Sequence, residues 1–261
     1  MDAIHAGNPT FTVDAKKLDE DQVRATFSDG RIELKELSIR EKAAMELISK
    51  VCTSGRLIDI GCYVGKFLRY MTNVHPKLDV TGIDSYEDNV RIARLLYPNW
   101  KDRFSNGSVY SLKFGSESFD CVCFMEVLEH IDRPIDAIRE INRIIKPGGY
   151  LVLSTPNAAS LRHVRKSIIL GIINPIKTWL KRRHVIPTEI FFESVDWNRH
   201  IIEYLPTSLS TLLHINGFDI VEHRFVPSSM TYRILDYILP GMSAGQIVLA
   251  KKLKSSPTTF V

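Results

Sequence analysis

The feature that most constrains the fold is an alternation of short apolar runs and amphipathic segments between residues 56 and 157. "RLIDIG" (56–61), "LDVTGID" (78–84), a run within "RFSNGSV" (103–109), "FDCVCFM" (119–125) and "GYLVLSTPN" (149–157) read as strands. "KFLRYMTNV" (66–74), "YEDNVRIARLLY" (86–97) and "PIDAIREINRII" (134–145) carry apolar residues at helical spacing, and "KPGG" stops the last of them. "IREKAAMELISKV" (39–51) has the same spacing and precedes the first strand. Strands alternating with helices imply an α/β protein, with a mostly parallel sheet covered on both faces in three layers. The rhythm breaks at residue 158. Further on, "TSLSTLLHINGFDIVEHRF" (207–225) reads as helix, glycine stop and strand, and "AGQIVLAKKL" (244–253) as a last strand. These two strands are expected to form an antiparallel C-terminal hairpin, which makes seven strands in all.

Composition narrows the class. Of 261 residues, 44% are apolar and 25% charged, as in soluble globular proteins. The net charge of +4 is too mild to imply nucleic acid by itself. Cys52, Cys62, Cys121 and Cys123 form no CxxC pair, so reduced, buried thiols are expected. The start, "MDAIHAGNPTF", lacks a basic and then apolar signal pattern. No run of about 18 apolar residues exists to span a bilayer. A cytoplasmic location is expected.

"DIGCYVG" (59–65) follows the first strand and opens a helix. Backbone N–H groups and the helix N-terminus face a ligand in such a turn, and glycines allow close approach. Asp84 ends the second strand, where a carboxylate accepts the ribose hydroxyls of an adenosine ligand. The spacing Asp59-x-Gly61-x-x-x-Gly65 lacks the third glycine of a dinucleotide fingerprint, which counts against NAD.

These features resemble class I S-adenosylmethionine (SAM) methyltransferases, whose fold is Rossmann-like. The resemblance covers about residues 55–253. It implies that Asp59, Gly61, Cys62, Tyr63 and Gly65 form the cofactor loop, and that Asp84 and Ser85 lie at the ribose. It places Ser108 and Val109, in "NGSVYSL" (106–112), at the adenine and Met125 at the end of the fourth strand beside the cofactor. Two positions depart from the family pattern. Tyr63 stands where glycine is usual, and Ser108 where aspartate is frequent. Tyr63 is expected to restrict access near the methionine part of SAM or to shift the loop.

"CFMEVLEHID" (123–132) places Glu126, Glu129 and His130 just where a buried strand ends. Their spacing of i, i+3, i+4 puts all three on one face if a helix begins there. The stretch lies at the carboxyl edge of the sheet, where ligand clefts of open α/β sheets lie. With "STPN", it looks like the branch of the family holding the ubiquinone-biosynthesis O-methyltransferases and the small-RNA 2′-O-methyltransferases. That resemblance implies a divalent cation on Glu126, Glu129, His130 and a later histidine, for which His200 in "WNRHIIEYLP" (197–206) is the candidate. Two carboxylates and two imidazoles suit Mg²⁺, Mn²⁺ or Zn²⁺. The competing readings make His130 a metal-free catalytic base or pocket group, with Glu129 its catalytic neighbour, or give both a structural role.

The expected organisation is a partly helical N-terminal extension (1–40), then a methyltransferase domain (41–261) carrying a basic lid at 158–188. The lid holds seven Lys or Arg and no Asp or Glu. Its apolar centre, "SIILGIINPIKTWL" (167–180), is flanked by Arg162, Arg165 and Lys166 and by Lys181, Arg182 and Arg183. That pattern suits an anionic membrane surface, here the inner face, or an ordinary solvated lid. Trp179 is the only Phe, Tyr or Trp that accompanies the charge, which weighs against nucleic acid. The expected activity is O-methylation of a small, lipid-linked or glycan acceptor. The alternatives are a catalytically silent SAM-binding module and an RNA 2′-O-methyltransferase.

Overall fold

A computed structural model describes residues 4–5, 12–13, 37–160, 200–227 and 240–254. Two two-residue strands, β1 (Ile4–His5) and β2 (Thr12–Val13), pair antiparallel near the N-terminus. The body begins with α1 (Ile39–Val51), whose start is set by a capping box: Glu41 N donates to Ser38 Oγ, and Ser38 N to the Glu41 carboxylate. This helix opens two residues before the expected domain boundary at 41. Its buried residues Ala44, Leu47 and Ile48 pack into the core, so it belongs to the body. The rest of the expected extension, and the lid at 161–188, lie outside the described residues.

Strands and helices then alternate: β3 (Gly55–Ile60), α2 (Lys66–Val74), β4 (Leu78–Asp84), α3 (Glu87–Leu96), β5 (Phe104–Asn106), β6 (Phe119–Met125), α4 (Pro134–Ile144) and β7 (Ile145–Pro156). The chain closes with α5 (Pro206–Ile215), β8 (Phe218–Val226) and β9 (Gly245–Lys252). The main sheet has seven strands in the order β5-β4-β3-β6-β7-β9-β8. The first five of these pair in parallel, and β9 runs antiparallel to both β7 and β8. The seven-stranded, mostly parallel sheet with its antiparallel C-terminal pair is the expected architecture.

Successive residues of the central strands point to opposite faces and both faces are buried. Ile58, Val122, Phe124 and Leu151 pack beneath α4 and α5, while Leu57, Cys121, Cys123 and Val152 pack beneath α1, α2 and α3. That two-sided burial explains why these strands read as continuous apolar runs. All four cysteines are buried and unpaired. One local reading changes. "KPGG" does not simply stop a helix, because the β7 ladder reaches back to Ile145, with a register irregularity opposite Phe119–Cys121.

From β3 the chain runs outward to β4 and β5, then returns to β6 on the other side of β3. The connections leaving β3 and β6 therefore diverge at the carboxyl edge and leave a crevice, the usual ligand position in such sheets. The two motifs singled out in the sequence sit on those two connections. Among the described residues no helix is long and apolar enough to cross a membrane.

Candidate active site

The loop after β3 turns sharply. Gly61, Tyr63 and Gly65 all have left-handed backbone, at φ +84°, +51° and +78°. A Cβ on Gly61 would lie 2.3 Å from Val127 Cγ2, and one on Gly65 would lie 2.6 Å from the Phe104 ring. Glycine is thus required twice, by conformation and by space. Gly61 N and Cys62 N both donate to Ile83 O, which fastens the loop to β4.

Asp84, at the end of β4, organises the turns around it. Its Oδ2 accepts from Tyr63 N, and its Oδ1 from Tyr86 N and Asn89 Nδ2. Burial raises its pKa from the ordinary carboxylate value, against the pull of these hydrogen bonds. Asn106 Nδ2 donates to the carbonyls of Asp84 and Ser85, tying β5 to this turn. Ser108 accepts from Tyr110 N and shapes the next loop. Asp59 lies deeper, 3% exposed, and burial with the nearby Glu41 and Asp84 charges pushes its carboxyl up to about 7.

A cleft of about 450 Å³ opens above these strands. Gly61, Ser85, Ser108 and Val109 line it together with His130, joining the expected cofactor and chemistry residues. Asp59, Cys62, Tyr63, Gly65, Asp84 and Met125 do not line it. The Cys62 side chain packs under the loop, so close that a Cβ on Gly82 would lie 2.8 Å from its Sγ. Met125 packs towards the core face of α1, α2 and α3.

The stretch after β6 departs from expectation. No α-helix begins at Glu126: a single 3₁₀ turn covers Leu128–His130, and Glu126 itself has left-handed backbone at φ +53°. The three side chains therefore do not share one helical face. Glu126 turns to Arg40 Nη1, 2.6 Å away, and accepts from Ser154 Oγ at 2.9 Å. Glu129 is 1% exposed and accepts from Thr155 Oγ1 at 3.1 Å. Burial, and then the charge of Glu126, push its carboxyl up to about 8.

His200 joins from the far side of the sequence. Ile201 N and Ile202 N both donate to Glu129 O, which docks this segment on the 3₁₀ turn. The His130 and His200 rings then meet edge to face at 5.2 Å. One donor atom each from Glu129, His130 and His200 lie within 4.8 Å of one another. Three of the four expected ligands are thus brought together, and Glu126 is held aside by Arg40 and Ser154. Arg40, Ser154, Thr155 and Tyr204 were not singled out from the sequence. They come from three separate segments, and only tertiary contact joins them. Tyr204 is 6% exposed, and its phenol is raised to about 12 by burial and by the Glu129 charge.

A mostly parallel sheet with this strand order, a glycine turn after β3 and an acidic residue ending β4 define a class I, SAM-dependent methyltransferase. The chain belongs to the family described as "Methyltransferase domain", whose profile matches residues 37–223. It is 30% identical over 187 residues to the ubiquinone biosynthesis O-methyltransferase of Roseobacter denitrificans, covering 69% of this chain and 67% of that protein. The protein of the same description from Cereibacter sphaeroides is 30% identical over 189 residues, with 69% and 68% covered. Among solved structures, an S-adenosylmethionine-dependent methyltransferase from Mesorhizobium loti shares the fold. Its TM-score is 0.57 at 17% identity, over 82% of this chain and 98% of that one.

Proposed function

We infer that the chain moves the methyl group of SAM onto a hydroxyl of a small, lipid-linked or glycan acceptor held at Glu129, His130 and His200. The observation that carries this reading is the convergence of those three side chains beside the cofactor cleft, which His130 itself lines. Methyl transfer is an in-line displacement. The acceptor oxygen bonds to the methyl carbon, the sulfur keeps the electron pair of the broken C–S bond, and S-adenosylhomocysteine leaves. Because the cofactor supplies the reactive group, the protein's work is to orient the acceptor and receive its proton.

The donor set fits a divalent cation. A buried carboxyl whose proton is held up to about 8 gains a partner when a cation replaces that proton, and two imidazoles complete a borderline set for Mg²⁺, Mn²⁺ or Zn²⁺. When bound, such an ion clamps a vicinal diol or catechol and lowers the pKa of its hydroxyl. The chain's own residues have separate tasks. His130 lines the cleft, where it would hold the cation with Glu129 and His200 or, with no cation bound, receive the acceptor proton. Thr155 orients Glu129, while Arg40 and Ser154 fix Glu126 beside it. The basic segment 158–188 would bring a lipid-linked acceptor from an anionic membrane surface, through the cations that flank its apolar centre.

The test is S-adenosylhomocysteine release with a panel of catechols and vicinal diols, before and after stringent chelation. Activity should fall at least tenfold on chelation and return with one of the three cations. Full activity after chelation would leave His130 as a metal-free base and remove the cation from the account. Turnover with amine acceptors alone would overturn the choice of oxygen.

A further inference from the structure

Residues 200–205 carry His200 to the site and form no helix or strand, apart from a single bridge of Tyr204 to Asn157. Where His200 stands therefore depends on what fastens this segment. One end is tied to the chemistry turn itself, through Ile201 N and Ile202 N to Glu129 O. The other end is tied at Tyr204 O, which accepts from Ala158 N at 3.1 Å and from Gln246 Nε2 at 2.8 Å.

Gln246 lies on β9, 1% exposed, and its amide bonds three other segments. Its Nε2 donates to Tyr204 O and, at 3.4 Å, to Pro156 O at the end of β7. Only the nitrogen end of an amide can donate to two carbonyls, so Oε1 turns to β8, where His223 Nε2 lies 3.1 Å away. Gln246 also stands directly opposite Thr155 in the β7–β9 ladder, and opposite residues of an antiparallel pair share a face. Thr155 is the residue whose hydroxyl donates to the Glu129 carboxylate. One cross-strand pair thus reaches both halves of the cluster. Thr155 holds Glu129 directly, and Gln246 holds the segment of His200 through Tyr204. An apolar side chain in place of Gln246 would bond none of its partners.

We propose that Gln246 is a positioning residue for the reaction: through Tyr204 O it fixes the 200–205 segment and so sets His200 against His130 and Glu129. The proposal rests on the reading that His200 helps to hold the acceptor. Gln246 does not line the cleft, so its effect on the reaction passes through the segment it fastens.

The experiment is a double-mutant cycle on the full chain, with Gln246→Glu and His200→Ala made singly and together. It is read by kcat for S-adenosylhomocysteine release with catechol and by calorimetric SAM affinity. Gln246→Glu keeps the size and the acceptor towards His223, and removes the donor to Tyr204 O and Pro156 O. It should lower kcat by roughly fivefold or more, with SAM affinity within about twofold of the parent's. In the His200→Ala background the same substitution should lower kcat by less than about twofold, because the side chain it positions is gone. An equal loss of kcat in both backgrounds, or an equal loss of SAM affinity, is the mark of a merely structural role and would overturn the proposal. The ring contact supplies a readout that needs no acceptor. With histidine labelled selectively, the parent should show a nuclear Overhauser contact between the His130 and His200 rings, and Gln246→Glu should lose it while staying folded by circular dichroism. A retained contact would overturn the proposal. No turnover with catechol, or full kcat in His200→Ala, would count against the reading of His200 itself, and the ring contact would then decide the role of Gln246. Gln246→Met, apolar and of similar length, is the second variant, with the same expectations. Unfolding of both variants would make Gln246 a residue of stability and overturn the proposal.

Discussion

Asp59 shows how the cofactor site trades stability for charge. Its carboxyl is raised from 3.8 to about 7 by burial and by the neighbouring acids. A raised folded-state value means that the neutral form is favoured in the fold. The stability this contributes is full below pH 3.8 and is lost as the pH rises through about 7. Asp59→Asn keeps the shape without the titration. Ligand-free urea denaturation at pH 5 and pH 8 should show the parent losing on the order of a few kcal/mol more than the variant. An equal loss in both would remove Asp59 as the source. The cofactor acts in the opposite direction. SAM carries a sulfonium and an ammonium, and a cationic ligand favours the ionised carboxylate. SAM affinity should therefore rise between pH 6 and pH 8 in the parent and stay flatter in Asp59→Asn, as read by calorimetry. The residues that sequence reading located best, such as Gly61 and Asp84, are those whose role is local and tied to a turn. Glu126 was misplaced because nothing in "CFMEVLEHID" announces a left-handed backbone at a non-glycine residue.

At the scale of elements, two connections meet tightly enough that one cannot move alone. Gly61 belongs to the loop after β3, and Val127 opens the 3₁₀ turn after β6 that carries Glu129 and His130. Gly61→Ala would bring a Cβ to 2.3 Å from Val127 Cγ2 at a φ of +84°. The substitution should lower stability by about 1–3 kcal/mol and displace the chemistry turn. Its expected signature is a drop in both SAM affinity and kcat, each at least tenfold, measured by calorimetry and by S-adenosylhomocysteine release. A variant with weakened SAM binding and full kcat at saturation would show that the two connections are independent. Most elements were legible because their signals are local: α1, α2 and β6 have the bounds their periodicity suggests. "KPGG" was less legible. Gly148 sits at φ +77° inside a ladder that tolerates an irregular register, and the sequence alone does not separate that from a plain stop.

At the scale of the whole molecule, the site exists because the strand order returns β6 beside β3 and the chain beyond 200 docks on Glu129. The class of fold follows from the strand–helix rhythm, which is why it could be read before any contact was known. The arrangement of the site could not be read in the same way. Arg40 reaches Glu126 across 86 positions of sequence, and His200 reaches His130 through backbone bonds made by its neighbours. Such pairings depend on where the sheet edges and helix ends fall in space, and a pattern in one dimension does not encode them legibly. The central claim is that this geometry delivers a methyl group from SAM to an oxygen. Its most direct measurement incubates the chain with SAM carrying a trideuterated methyl and a catechol acceptor, and identifies the product by mass spectrometry and NMR. The account predicts the intact trideuteromethyl group as an ether on one catechol oxygen, with loss of at least tenfold in His130→Ala. Label on nitrogen or carbon, or none transferred to any hydroxyl acceptor tried, would contradict it.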